Sequence, residues 1–299
     1  MLFADSSRGR PFSKDPAVVR FAGQYWMYYS LPPYQDDRSP DVWSIGVATS
    51  PNLEQWQPVG DILPAADYER SGLCAPGAIV LDGHVHLFYQ TYGNGPKDAI
   101  CHAVSADGLH FSRNSSNPIF RPTGAWNVGR AIDADVIAFG SRLLLYFATR
   151  DPQMRVQMLG VAAALLNSNF GRDAWVQLSD APILKPELPW EQDCIEAPAL
   201  FRRGERLFMF YGGAYNNAPQ QIGLAASTDG VHWQRLHDQP FLPNGAPGSW
   251  NACESGHPFA FTDEDGQVTL FYQGDSDHGQ SWYLSSRRIG WDNNLPILE

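Results

Sequence analysis

The sequence predicts an all-β protein, a five-bladed β-propeller in which each blade has four antiparallel strands. Three observations lead to this prediction: a motif that recurs five times, strand-like runs joined by glycine-containing turns, and no long amphipathic helical pattern. The 299 residues suffice for a substantial core. Since no linker, low-complexity stretch or charge run divides the chain, we expect residues 1–299 to form one propeller domain.

The first half of each repeat predicts two strands joined by a tight turn. An apolar run, a turn that contains glycine and an alternating aromatic and aliphatic run recur about every 60 residues. The five copies are DPAVVRFAGQYWMYYS (15–30), APGAIVLDGHVHLFYQ (75–90), DADVIAFGSRLLLYF (133–147), EAPALFRRGERLFMFY (196–211) and HPFAFTDEDGQVTLFYQ (257–273). This regular spacing favours a propeller over a β-sandwich or two small β domains.

The second half of each repeat predicts a third strand, a polar turn and an aromatic residue that opens the fourth strand. Four copies are SIGVATSPNLEQW (44–56), ICHAVSADGLHF (100–111), MLGVAAALLNSNF (158–170) and IGLAASTDGVHW (222–233). The fifth repeat keeps only a shortened version, SWYLSSRRIGW. The alanine-rich segment from Val161 to Leu165 could form a helix in isolation, but its place in the repeat predicts a strand.

Composition narrows the possible partners. The chain has 21 basic and 32 acidic residues, a net charge of −11, and no basic stripe, which argues against a nucleic-acid partner. Aromatic residues make up 13%, which suits an uncharged ligand such as a sugar that stacks on aromatic faces. No apolar run is long enough to cross a membrane, and no signal peptide is visible, so we expect a cytoplasmic protein, or a secreted one if a leader has been removed. The four scattered cysteines predict free thiols.

Acidic residues stand at the predicted starts of the innermost strands. In a propeller these strands line the central channel, so their starts converge on one mouth. The five starts are Asp15, the Ala75–Pro76 step, Asp133, Glu196 and His257. Converging carboxylates repel one another and are costly to desolvate, which favours a functional role. Glycoside hydrolysis needs such a set: one acid protonates the leaving oxygen, and one carboxylate activates water or attacks the sugar.

At these strands the sequence resembles glycoside hydrolase family 43 and its five-bladed relatives, families 32, 62, 68, 117 and 130. The resemblance is carried by KDPAVVRFAGQYWMYYS, AIDADVIAFGSRLLLYFATR and IEAPALFRRGERLFMFYGG. It implies that Asp15 is the general base, that Asp133 modulates pKa and orients substrate, and that Glu196 is the general acid. The family includes β-xylosidases, α-L-arabinofuranosidases, arabinanases and galactosidases.

Two details depart from the family pattern. Ala134 follows Asp133 where the family usually has proline, and Asp135 comes next. Strand alternation points Asp133 and Asp135 to the same face, so it does not choose between them; we favour Asp133 as catalytic and place Asp135 among the substrate contacts. The N-D-P-N-G motif of the fructosidase families is absent, which favours inversion over retention.

The loops between the second and third strands should face the substrate. Their candidate contacts are Tyr34, Asp36, Arg38, Tyr92, Asn94, Arg150, Tyr215, Asn216 and Gln220. Arg150 is the strongest, because a guanidinium binds vicinal hydroxyls and a carboxylate together. His257, which we also count among the substrate contacts, lies where relatives place a channel histidine that borders a bound calcium or other ion in some of them. No calcium-binding D-x-D-x-D-G loop is present, and we expect that no cofactor is required.

These observations predict an exo-acting, inverting glycosidase that removes terminal pentoses of the arabinofuranoside or xyloside type from oligosaccharides. In this prediction Glu196 is protonated at rest and Asp15 is ionised. The alternatives are a retaining fructosidase-like hydrolase, a glycoside phosphorylase, and a non-catalytic propeller that only binds sugar. The sequence predicts neither the exact sugar and its linkage nor the oligomeric state.

Overall fold

The computed structural model describes residues 1–34 and 41–299, and it is a five-bladed β-propeller. Four blades follow the chain in order, each with its strands hydrogen-bonded in sequence. Blade one contains β2 (Lys14–Phe21), β3 (Gln24–Leu31), β4 (Ser44–Ser50) and β5 (Gln57–Ile62). Blade two contains β6 (Leu73–Leu81), β7 (His84–Thr91), β8 (Ile100–Ser105) and β9 (Ser112–Arg113). Blade three contains β10 (Ile132–Phe139), β11 (Arg142–Arg150), β12 (Gln157–Leu165) and β13 (Val176–Gln177). Blade four contains β14 (Ile195–Arg203), β15 (Arg206–Gly213), β16 (Gln221–Ser227) and β17 (Gln234–Arg235).

The fifth blade is completed by both ends of the chain. Its inner strands are β18 (Glu254–Thr262), β19 (Val268–Asp275) and β20 (Tyr283–Asp292). The outer edge of β20 pairs with the N-terminal strand β1 (Leu2–Phe3) and with the C-terminal strand β21 (Leu295–Leu298). The outer strand of the shortened fifth repeat is therefore built from two short segments, β21, which follows β20 directly, and β1 from the distant N-terminus. This pairing also removes the free edge that an incomplete blade would leave exposed.

Helix is confined to short 3-10 segments in the described residues: Asp67–Glu69, Gly95–Lys97, Arg172–Ala174 and Pro189–Glu191. None of the described helices has the length and apolar character needed to cross a membrane.

The inner strands are buried on both faces because neighbouring blades stack against each other, whereas the outer strand β5 is largely exposed. In β11 every residue from Leu143 to Thr149 is buried, and its whole length pairs with β12. The alanine-rich segment is thus a strand, as the repeat predicted. Small residues on β12 make room for aromatic rings, since a Cβ at Gly160 would overlap the ring of Phe147. Four apolar clusters between the blades form the core.

A buried polar triad recurs in blades two and four. Glu191 accepts hydrogen bonds from the Tyr211 hydroxyl (2.8 Å) and from Arg235 Nε (2.8 Å). In blade two the carboxylate of Glu69 likewise accepts hydrogen bonds from the Tyr89 hydroxyl and from Arg113 Nε. Both glutamates are fully buried, so each triad satisfies a charge that would otherwise be expensive to bury. The triads tie the 3-10 helix before a blade to its second and fourth strands.

Every innermost strand begins with a bulge that carries one residue of left-handed backbone. These residues are Asp15 (φ 52°), Ala75 (47°), Asp133 (52°), Ala197 (49°) and His257 (40°). Strand register shifts directly after each of them. The backbone N–H of Asp15 donates to Gln273 Oε1 (3.0 Å) and that of Asp133 to Gln90 Oε1 (2.7 Å), both on the preceding blade. These bonds stabilise a strained backbone where the channel opens.

The bulges correct one detail of the predicted repeat. The expected five equivalent starts included Glu196, but the structure puts Ala197 at the position of Asp15, Asp133 and His257. Glu196 lies one residue earlier, where blade one has Lys14. Its side chain therefore enters the channel mouth from a different register than the two aspartates.

Candidate active site

The three predicted acids meet at one mouth of the channel, in a pocket of about 220 Å³. Asp15, Asp133, Glu196 and His257 form its floor. Asp133, Glu196 and His257 are at least nine-tenths buried, and ligand atoms of these three lie within 4.8 Å of one another. The side chain of Asp15 is 10% exposed.

His257 stands between two of the acids. Its Nδ1 lies 3.0 Å from Asp15 Oδ1, and its Nε2 lies 3.2 Å from Glu196 Oε1. Burial lowers the pKa of His257, but the charges of Asp15 and Asp133 outweigh burial and hold that pKa well above its ordinary value. His257 is therefore an imidazolium that bridges two carboxylates.

The pKa of Asp15 lies below its ordinary value. Burial raises it, but the charge and hydrogen bond of His257, helped by the charge of Lys14, lower it further than burial raises it. Lys14 itself donates to Asn216 Oδ1 (3.0 Å) and lies over the Trp282 ring. Asp15 is thus ionised, as a general base must be.

Two amides and His257 hold Glu196 in place. Gln220 Nε2 donates to Glu196 Oε1 (2.7 Å), and Gln157 Nε2 donates to Glu196 Oε2. Burial raises the pKa of Glu196, but the hydrogen bond and charge of His257 and the hydrogen bond from Gln220 lower it below its ordinary value. This differs from the expectation of a Glu196 protonated at rest, because the sequence did not show a cation in contact with it.

Asp133 holds the proton instead. Burial raises its pKa to about 7, the charges of Glu196 and Asp15 act in the same direction, and His257 opposes them. Its Oδ2 is buried and has no hydrogen-bond partner among the described residues. The two titrations depend on each other, because an ionised Glu196 raises the pKa of Asp133.

Asp135 does not reach the substrate pocket, which corrects its placement among the substrate contacts. Its Oδ2 accepts a hydrogen bond from the backbone N–H of Leu200 (2.7 Å), and it lines the channel below the site. The bulge at Asp133 breaks the strand alternation that would have put the two aspartates on one face. Burial raises the pKa of Asp135 to about 7.

The structure brings four predicted loop contacts to the pocket wall. These are Tyr92, Arg150, Tyr215 and Asn216. Gln220 lies behind the site, where it orients Glu196 and accepts the backbone N–H of His257 (2.9 Å).

Other predicted loop contacts lie elsewhere. Tyr34 packs under the guanidinium of Arg8, 3.9 Å from the ring centre, and is not part of the described pocket wall. Asn94 hydrogen-bonds Asp98 instead of facing the pocket. Asp36 and Arg38 lie outside the described residues.

Several pocket residues were not predicted from the sequence. Trp43 and Tyr92 pack with ring centres 5.4 Å apart and form an aromatic wall. Arg130 and Gln157 come from the loop before β10 and the start of β12. The sequence does carry one signal that could have identified Gln157 as a pocket residue, because Gln157 opens the third strand of its blade next to the substrate loop. Arg130 has no comparable signal.

The residues present do not fit a metal ion at His257. Both ring nitrogens contact carboxylates and the ring is protonated, so it has no lone pair for a metal. Both oxygens of Glu196 already accept hydrogen bonds from Gln157 and Gln220, so a calcium ion here would take most of its six to eight ligands from water. The cation at the centre of this site is the imidazolium.

Fold and site together define a class of protein: a β-propeller glycosidase with three carboxyls at the channel mouth, a set that can supply the acid and the base of glycoside hydrolysis. The sequence profile of glycosyl hydrolases family 43 matches residues 9–292, and the chain belongs to that family. It is a glycoside hydrolase whose substrate is a carbohydrate.

Solved structures share the fold at low sequence identity. A thermostable family-43 glycoside hydrolase is 18% identical, covers 96% of this chain and 92% of its own, and gives a TM-score of 0.75. An endo-1,4-beta-xylanase from Bacteroides thetaiotaomicron is also 18% identical, with 96% and 94% coverage and a TM-score of 0.74. A family-32 beta-fructofuranosidase from Bombyx mori is 16% identical, with 96% and 62% coverage and a TM-score of 0.74.

Proposed function

We propose that this chain is an exo-acting, inverting glycosidase that releases a terminal pentose from an oligosaccharide without a cofactor. One observation carries the proposal: His257 separates the carboxylates of Asp15 and Glu196, each on a different ring nitrogen. A spacing that accommodates an imidazole ring favours the gap of about 6.5–9.5 Å used by inverting enzymes over the roughly 5–5.5 Å of retaining ones.

In the reaction, Asp15 accepts a proton from a water molecule whose oxygen attacks the anomeric carbon. The glycosidic C–O bond breaks, and Glu196 gives its proton to the leaving oxygen. The sugar is released with inverted configuration, Asp15 is left protonated and Glu196 ionised. After the sugar leaves, Asp15 loses its proton to solvent, and the imidazolium of His257, which carries a proton on each nitrogen, favours this ionised form of Asp15.

Substrate binding would put the proton on Glu196. The Asp133 carboxyl lines the pocket, where a sugar hydroxyl can donate a hydrogen bond to it. Such bonds favour the ionised form of Asp133, and the negative charge of Asp133 then raises the pKa of Glu196, which favours a protonated general acid. The general acid thus receives its proton only when a sugar is in place.

The shape of the pocket supports a terminal sugar. At about 220 Å³ it is smaller than the roughly 300–1,000 Å³ of pockets that enclose drug-sized ligands, so it suits one sugar ring. The 18%-identical xylanase and a 17%-identical alpha-L-arabinofuranosidase from Lactobacillus brevis act on pentose polymers or pentosides by name, which supports the pentose proposal.

A screen of aryl pentofuranosides, pentopyranosides, hexosides and fructosides, with and without phosphate, tests the substrate. Proton NMR of the first-formed sugar, recorded before mutarotation, tests the stereochemistry. We expect the opposite anomer to the substrate's to accumulate first. Early accumulation of the substrate's own anomer would mean that Asp15 attacks the sugar directly, as in a retaining enzyme.

The roles of the two acids are separable with two variants. Glu196→Gln should lose about 10²–10⁴-fold in kcat on substrates with poor leaving groups and much less on activated aryl glycosides, which need little protonation. Asp15→Asn should lose activity on both kinds alike. Equal losses for both variants on both substrates would contradict the assignment, and no cleavage of any glycoside by the wild type would refute catalysis.

A further inference from the structure

Two arginines of the pocket wall converge on a neutral amide beside the acid. Arg150 Nε and Arg130 Nη1 donate to the same oxygen, Gln157 Oε1, at 2.9 and 3.2 Å. The amide nitrogen of Gln157 donates to Glu196. Two guanidinium groups this close repel each other, and the neutral amide oxygen of Gln157 compensates neither charge. Arg130 and Arg150 are therefore arranged to bind an anion that the described part of the protein does not place between them.

The arginines are weakly compensated by their surroundings. Their one ion pair within the described residues joins Arg130 Nε to Asp98 Oδ2 at 3.8 Å, too long for a hydrogen bond. In the same part of the chain, the Nε of Arg130 is buried without a hydrogen bond, and Arg150 otherwise reaches only the Met154 carbonyl (3.4 Å) and the Tyr215 ring. Donors are therefore left over on both guanidinium groups.

We propose that Arg130 and Arg150 form a subsite for a carboxylate carried by the leaving sugar, so that the substrate is a pentose linked to a uronic acid. The proposal rests on the proposed function, since Glu196 protonates the leaving oxygen and Gln157 places the arginines on that side of the pocket. Planar guanidinium groups bind carboxylates through two parallel hydrogen bonds, and a neutral sugar has no carboxylate to make this contact. The subsite revises the expectation of an uncharged ligand drawn from composition.

Glucuronate and its methyl ester test the subsite, because they differ in charge at one group. We expect glucuronate to inhibit aryl pentoside hydrolysis about ten- to hundredfold more strongly than the ester. Raising the salt concentration from about 0.02 to about 0.5 M should reduce the difference in inhibition between glucuronate and the ester, because salt screens the attraction between the carboxylate and the arginines. In Arg130→Gln and Arg150→Gln the ratio between acid and ester should fall towards one.

Arg142→Gln is the matched control. Arg142 and Arg150 stand at opposite ends of β11, so both variants remove one charge from the same strand, but Arg142 is exposed away from the pocket. Its acid-to-ester ratio should equal that of the wild type. An equal shift in Arg142→Gln would attribute the preference to net charge and overturn the subsite.

The test separates failure of this proposal from failure of the proposed function. Calorimetric binding of the acid and the ester needs no turnover and stands even if no glycoside is cleaved. A wild type that cleaves pentosides but binds both compounds alike overturns the subsite and leaves the hydrolase in place. Tighter binding of inorganic phosphate, with sugar 1-phosphate as the product, would also overturn it and assign the arginines to a phosphorylase.

Discussion

Replacing His257 with asparagine removes a cation that contacts both Asp15 and Glu196. Asparagine is chosen because it tolerates the left-handed backbone at this position (φ 40°). Removing one partner of a buried ion pair costs about 3–5 kcal/mol in unfolding free energy, since it leaves buried charge uncompensated. We expect a loss of this size at about pH 6.5, where both acids of the wild type are ionised and the imidazolium still contributes nearly its full stabilisation.

The loss should depend on pH in a defined direction. The raised pKa of His257 stabilises the wild type below the ordinary value of 6.5, and the lowered pKa values of Asp15 and Glu196 stabilise it above their ordinary values of 3.8 and 4.5. Without the imidazolium, burial raises the pKa of both acids, so protonation relieves the variant at low pH. Below about pH 6.5 the histidine is protonated in the folded and the unfolded wild type alike, so its contribution to stability changes little between about pH 5 and 6.5. The loss at about pH 5 should therefore be smaller than at about pH 6.5 by at least about 1.4 kcal/mol, the equivalent of one pKa unit.

Urea unfolding of both proteins at these two pH values, followed by tryptophan fluorescence and circular dichroism, measures the differences. His232→Asn is the control, because His232 pairs with Asp229 at the surface with an 88% exposed side chain, and we expect a change below about 0.5 kcal/mol. A loss in His257→Asn that is equal at both pH values would refute the bridging imidazolium.

Buried polar groups elsewhere in the molecule lead to three more tests. Gln220→Ala removes a hydrogen bond that lowers the pKa of Glu196, so the alkaline limb of the pH profile of kcat/KM should move to higher pH; an unmoved limb would contradict that contact. Burial raises the pKa of Glu254 from 4.5 to about 7, so its ionisation destabilises the fold as pH rises. Between about pH 5 and 8 the unfolding free energy of Glu254→Gln, measured in urea, should therefore rise relative to wild type by on the order of 1–3 kcal/mol. Glu191→Gln should cost about 3–5 kcal/mol in urea unfolding because Arg235 loses its buried carboxylate, and a cost below about 1 kcal/mol would show that the triad is dispensable.

The period of the repeat is enough to determine the architecture. Each unit alone leaves apolar faces uncovered, so five copies of strand, glycine turn and strand are stable only when stacked round an axis. The same stacking puts Asp15, Asp133 and Glu196 at one mouth, because strands that start blades share a direction. Tyr92, Arg150, Tyr215 and Asn216 follow from the loops at that end.

The tertiary structure decided what depends on backbone conformation and on contacts between distant segments. Whether Asp133 or Asp135 faces the substrate was set by a left-handed bulge, which strand alternation does not reveal. The fourth strand of blade five came from both chain ends, because any free edge of suitable register can complete a sheet.

Protonation, too, was decided by neighbours far apart in sequence. His257 and Glu196 are 61 residues apart and Gln157 is 39 residues from Glu196, yet these contacts set the charge of the acid. A pKa depends on burial and on charges within a few ångströms, and neither quantity is written in the order of residues. The sequence by itself determined which carboxyls meet; only the folded chain determined which of them holds the proton.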